Sequence, residues 1–107
     1  MTIEGGGIPS PQDKKLYRQE YQHSVDLFQR ALNEYSQSDN IYQKEEFKGV
    51  MDMAMQVMNE TARELKNASL LEQNQKIAKE LAQYEEEPTS NLQTELEKDL
   101  DQAKGSV

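Results

Sequence analysis

The segment FKGVMDMAMQVMNETAREL, residues 47–65, spaces its apolar and small side chains at alternating intervals of four and three residues. The positions concerned are Phe47, Met51, Ala54, Met58, Thr61 and Leu65. Because 3.6 residues complete a helical turn, these steps keep the side chains on one face of an α-helix. The segment therefore predicts an amphipathic helix that must bury this face against another element.

Two further runs with this spacing flank the segment, and each run contains one polar residue. The first comprises Tyr17, Tyr21, Ser24, Phe28, Ala31 and Tyr35, and the last comprises Leu70, Asn74, Ile77, Leu81 and Tyr84. No stretch shows the two-residue alternation that is typical of strands. The sequence therefore predicts an all-α protein.

Cap and turn residues divide the runs into helices. Pro11 suits a first helical position, residues 36–40 are polar turn formers, and Pro88 ends a helix. Capping boxes are predicted at Ser69 and Ser90. The predicted helices cover 11–37, 40–66, 69–87 and, more weakly, 91–104. Short connections predict an antiparallel helical hairpin or three-helix bundle with a weak fourth C-terminal helix.

Three regions are predicted: a flexible N-terminal arm over 1–9, a helical bundle domain over 10–87 and an acidic C-terminal helix or tail over 88–107. Three leucines in the last region contribute about 5–8 kcal/mol when buried. Ordering the region costs more, at about 1–2 kcal/mol per residue. We therefore expect a marginal helix that detaches readily and can cover the methionine face of the second helix, formed by Met51, Met55 and Met58. Deletion of the marginal helix is expected to leave the melting temperature nearly unchanged.

The overall charge limits the classes of partner. The chain has 20 acidic and 12 basic residues, a net charge of −8. Such a chain gains nothing from phosphate or anionic lipid, so we expect no nucleic-acid and no membrane binding. A charged protein partner is expected to be basic.

Cysteine content and the N-terminus bear on location. The chain has no cysteine, and residues 1–9 lack the basic and apolar regions of a secretory signal. Its apolar stretches are too short to span a membrane. A cytoplasmic location is expected, although an export route that reads a flexible arm leaves no such trace.

The middle of the second helix is apolar around most of its circumference, which leaves two interpretations open. Methionine can fill gaps in the core of a central helix, or it can form an adaptable surface for a partner helix. For the second case the predicted partner-binding residues are Tyr42, Phe47, Val50, Met51, Met55 and Met58.

The sequence contains no motif that indicates catalysis or metal binding. Glu20 and His23 have the Glu-x-x-His spacing of bundle metal sites, but such sites need a second histidine and this chain has one. No Ser-His-acid set and no phosphate-binding loop can be argued. We expect no enzyme activity, no metal and no cofactor.

In size, acidity and helical-hairpin organisation the chain resembles small bacterial secretion chaperones and co-chaperones of helical type, a likeness of architecture without a residue motif. In length it also resembles helical-hairpin proteins exported in pairs with a Trp-x-Gly turn. It has no tryptophan, and Ser38-Asp39-Asn40 occupies the turn. The excess apolar surface of the second helix and the small core predict an adaptor or small chaperone that holds a partner helix. The alternative is a self-assembling coiled-coil subunit, a homo-oligomer.

Overall fold

The computed structural model describes residues 11–107, and these form four α-helices. The helices are α1 (Pro11–Gln37), α2 (Ile41–Glu64), α3 (Ala68–Glu86) and α4 (Ser90–Gly105). Their ends lie within two residues of the predicted bounds, and residues 11–107 contain no strand. The all-α prediction is confirmed. The predicted arm over 1–9 lies outside the described residues.

The helix starts are set by polar side chains in extended backbone. Asn40, Asn67 and Thr89 each accept a hydrogen bond from a backbone N–H two or three residues later. The capping boxes predicted at Ser69 and Ser90 are wrong, because both residues already lie within helices. A cap residue must have non-helical backbone angles, which Asn67 and Thr89 have.

The turn from α2 to α3 is a tight helix end that explains the break in the apolar spacing. The N–H of Asn67 donates to the carbonyl of Ala62 at 3.1 Å, and that of Lys66 donates to Arg63 at 2.9 Å. Lys66 has φ 54°, the left-handed conformation that glycine usually provides here. The chain reverses within a few residues and brings α3 against α2.

Hydrogen bonds between helices give their relative directions. Three of them join α1 to α4, and the residue number rises on α1 as it falls on α4. The pairs are Asp26–Lys104, Gln29–Asp101 and Ser36–Gln93. These two helices therefore run antiparallel. α2 packs against α1 and α3, and α4 packs against α3 and α1.

The core receives apolar side chains from all four helices. Its largest fully buried apolar members are Tyr21, Val25, Phe28, Leu32, Met51, Met58, Leu70, Ile77, Leu96 and Leu100. Leu96, Leu100 and Ala103 of α4 have no exposed surface. No α-carbon of α4 lies within 8 Å of one in α2. The expectation of a marginal α4 that covers the methionine face therefore needs correction: α4 fills the space between α1 and α3.

A polar network joins three helices at Asn74, the polar residue that interrupts the apolar run of α3. The Tyr21 hydroxyl on α1 donates to Asn74 Oδ1 on α3 at 2.5 Å. Asn74 Nδ2 donates to Asn59 Oδ1 on α2 at 3.0 Å. Thr61 instead donates to the carbonyl of Val57 within α2. Asn74 is fully buried and therefore fixes the three helices at one relative position.

Gly49 lies inside α2, where glycine is less favourable than alanine unless a neighbouring helix packs too closely for a side chain. The sequence allows two explanations, a tolerated weak spot or a close approach between helices. A Cβ built at Gly49 meets no atom within 4 Å, which favours the weak spot. We expect Gly49→Ala to raise the free energy of unfolding by about 0.5–1 kcal/mol in urea denaturation, because glycine loses more backbone entropy. Gly105→Ala, equally open but at a helix end, is the control and should gain less. Destabilisation by Gly49→Ala would contradict this.

Candidate interaction surface

Two of the six predicted partner-binding residues lie in the core. Met51 and Met58 have no exposed surface and pack with the buried side chains of the other helices. A side chain without accessible surface cannot contact a partner in this conformation. The core interpretation therefore applies to these two methionines, and we remove them from the candidate surface.

The other four predicted residues do not form one surface. Phe47 and Val50 are partly buried and lie on the side of α2 that faces α1. Met55 is also partly buried, but five residues along a helix rotate a side chain by about 140° from Val50. Tyr42 lies in the first turn of α2 and is 81% exposed. Only Phe47 and Val50 are brought together.

These two residues form one wall of a shallow groove of about 180 Å³ between α1 and α2. Leu27 and Ala31 of α1 form the other wall, with Arg30 and Glu34 along its margin. We call this set the α1–α2 groove. The wall formed by Phe47 and Val50 is held in place, because both residues pack against the buried core.

Leu27 is the groove residue that the sequence analysis did not assign to the surface. It is 40% exposed and lies outside the main apolar run of α1. The signal that could have revealed it is its spacing from Leu16, eleven residues or three turns earlier, which places both on one flank of the helix. The polar residues between them weaken that pattern.

A second depression lies on the same flank towards the start of α1. Its lining includes Tyr17 and Val57, the carboxylates of Glu20, Glu60 and Glu64, and the guanidinium of Arg63. Seven residues separate Val50 from Val57, which is the spacing that keeps both on one side of α2. Glu64 is the main cause of the raised pKa of the Tyr17 phenol. The apolar flank of the α1–α2 pair thus continues into a region rich in carboxylates.

A pair of carboxyl groups meets at the interface of α3 and α4. Asp99 is 3% exposed and its Oδ1 lies 3.5 Å from Lys76 Nζ. Within residues 11–107, Asp99 Oδ2 and Glu80 Oε1 are buried without a hydrogen-bond partner, as is Glu85 Oε2 further along α3. Burial and the neighbouring Asp99 raise the pKa of Glu80 to about 7. Sequence analysis missed this pair, because the two residues come from different helices.

Residues 11–107 bring no metal-binding group of side chains together and contain no membrane-spanning helix. The His, Asp and Glu side chains there form no group of three that could hold a metal ion. No helix in this part of the chain combines the length and the apolar content needed to cross a bilayer. Comparison of the chain with family models, curated proteins and solved structures found no match.

Proposed function

We propose that this chain is a non-enzymatic protein–protein interaction module, an adaptor or small chaperone, which acts in the cytoplasm. Its partner is an amphipathic helix with basic residues along its polar margins. The four helices act as an antiparallel bundle that holds the α1–α2 groove in one shape. The single observation that carries the proposal is the half-exposed Leu27 opposite Phe47 and Val50 in a groove with apolar walls.

The groove suits the apolar ridge of a helix. Two antiparallel helices leave a furrow along their line of contact, and side chains one or two turns apart on a third helix can fill it. Because Phe47 and Val50 are already held by the core, a partner loses little affinity to their ordering.

Charge favours a basic partner over an acidic or neutral one. The chain carries −8 overall, and Glu20, Glu60 and Glu64 extend along the flank beside the groove. Lys or Arg residues at the margin of a bound helix would speed its association and select against acidic helices. We therefore expect binding to weaken as salt is raised.

A charge placed in the groove tests the proposal. The probe is a synthetic amphipathic helix of leucine and lysine, about five turns long, with a scrambled peptide of the same composition as its control. We expect Leu27→Glu to weaken binding of the amphipathic probe at least about tenfold in fluorescence anisotropy, because a carboxylate would be desolvated against leucine. Helical circular dichroism should be unchanged, since Leu27 is 40% exposed.

Leu16→Glu is the matched control, because Leu16 is on the same helix, 58% exposed and outside the groove. It adds the same charge and should leave affinity within about twofold of the wild type. Equal affinity for the amphipathic and scrambled peptides, or equal losses in the two variants, would contradict the proposal.

The alternative is a self-assembling subunit, in which the groove pairs with a second copy. It is favoured by the large apolar side chains left exposed on α1 and α2, which are Leu16, Leu27, Ile41, Tyr42 and Met53. The net charge of −8 opposes it, because two copies repel each other. Sedimentation equilibrium separates the two: a dimer that Leu27→Glu dissociates would support self-assembly, and a monomer would support the adaptor.

A further inference from the structure

We propose that Glu80 of α3 and Asp99 of α4 share one proton, and that this proton holds α4 against the rest of the protein in a pH-dependent way. The proposal is independent of the α1–α2 groove. Its basis is a pair of buried carboxyl oxygens on two packed helices, neither of which has a hydrogen-bond partner in the part of the chain that the structure describes.

A hydrogen bond between the Glu80 and Asp99 side chains requires that one of the two carboxyl groups carries a proton. Ionised carboxylates accept hydrogen bonds but cannot donate them, so two of them side by side leave Glu80 Oε1 and Asp99 Oδ2 unsatisfied. One proton turns one carboxyl into a donor and leaves the other as its acceptor. The interface then contains one negative charge and one charge-assisted hydrogen bond.

The remaining charged groups near the pair do not replace this proton. Among the described residues, the cation that contacts the pair is Lys76, whose side chain is 64% exposed and whose Nζ lies 3.5 Å from Asp99 Oδ1. Such an exposed contact is strongly screened by water. Glu95 of α4 adds further negative charge at Glu80 and raises its pKa.

The charged residues of α1 and α2, which pack against α3 and α4, interact with groups other than Glu80 and Asp99. On α1, Asp26 pairs with Lys104 of α4. On α2, Lys48, Asp52 and Glu45 act on Glu85 of α3, whose pKa is raised mainly by burial. No cation from α1 or α2 appears among the groups that act on Glu80. The pair therefore depends on its own proton.

The direction of the pH dependence follows from the sign of the shift. The folded protein raises the pKa of Glu80 from 4.5 to about 7, so it binds this proton more tightly than the unfolded chain does. The resulting stabilisation is complete below the unfolded pKa of 4.5 and is lost as the pH rises to about 7. Above that pH Glu80 has lost its proton, and α4 is held less tightly.

Hydrogen exchange locates and measures this effect. We expect the protection factors of α4 amides, such as those of Leu96 and Leu100, to fall at least about tenfold between about pH 5.5 and about pH 8.5. Amides in the middle of α1 and α2 should change less, because they do not face the pair. A carbon-13 titration of the Glu80 carboxyl should have its midpoint near 7.

Glu80→Gln should flatten this dependence, because an amide donates a hydrogen bond to Asp99 at every pH. Asp99→Asn, the reciprocal change, should do the same if the pair acts through the shared proton. Glu86→Gln is the matched control: it removes the same charge from an exposed position on α3 and should keep the wild-type dependence.

Three outcomes would overturn the proposal. They are a Glu80 midpoint near 4.5, equal pH dependence in the wild type and Glu80→Gln, and recovery of α4 protection at high pH by added calcium or magnesium. The last would assign the two oxygens to a cation.

Discussion

Removal of residues 88–107 is expected to unfold the protein or to lower its melting temperature by more than about 10 °C. The deletion takes Leu96, Leu100 and Ala103 out of the core, where none of them has exposed surface. It also uncovers the apolar sides of α1 and α3 against which α4 packs. Thermal denaturation followed by circular dichroism measures the effect, and an unchanged melting temperature would contradict it.

Single substitutions make this result quantitative if the truncated chain does not fold. Leu100→Ala should lower the free energy of unfolding by about 2–5 kcal/mol, because it leaves a cavity as well as losing buried apolar surface. Leu92→Ala is the matched control on the same helix, since Leu92 is only partly buried and should lose less. Equal losses at the two positions would show that α4 is not docked as described.

Asn74→Ala is expected to lower the free energy of unfolding by about 2–4 kcal/mol in urea denaturation. The substitution removes the acceptor of the Tyr21 hydroxyl and the donor to Asn59, and it leaves the buried hydroxyl and the partly buried Asn59 amide unpaired. Burial raises the pKa of Tyr21, so its hydroxyl stays neutral and cannot gain stability by ionising. Two unsatisfied polar groups then remain between three helices.

A double substitution separates this network from simple packing. Tyr21→Phe with Asn74→Leu removes the hydroxyl and its acceptor together and should recover part of the loss caused by Asn74→Ala. Gln75→Ala, at the exposed neighbouring position, should stay within about 0.5 kcal/mol of the wild type. A loss below about 1 kcal/mol for Asn74→Ala would mean that water satisfies Tyr21 and Asn59 equally well.

Much of the helical framework could be predicted from the sequence, because it depends on local interactions. The apolar spacing reports a helical period, and Pro11, Pro88 and the polar turn before Ile41 mark helix ends within a few residues. The sequence does not show which of several neighbouring polar residues forms the N-cap of a helix, because each of them can accept a hydrogen bond from the first turn. Asn67, and not the predicted Ser69, is the N-cap of α3, because Asn67 has the extended backbone that a cap requires.

The candidate surface could be predicted only in part. The sequence predicted Phe47 and Val50 as surface residues, and both line the α1–α2 groove. The middle of α2 is apolar around most of its circumference, and the sequence does not show which side the other helices cover. Met51 and Met58, which were predicted as surface residues, lie in the core, and Leu27, which was not predicted, is exposed. Coverage depends on where the neighbouring helices lie.

The sequence alone determined the all-α class, the helices, the acidic charge and the lack of a recognisable catalytic motif. The tertiary structure decided the docking of α4, the Tyr21–Asn74 contact and the meeting of Glu80 with Asp99. The physical reason is range. Helix period and caps involve residues within a few positions, whereas burial depends on facing surfaces from distant segments. Three leucines of α4 looked insufficient when counted alone, but α1 and α3 bury apolar surface against them as well.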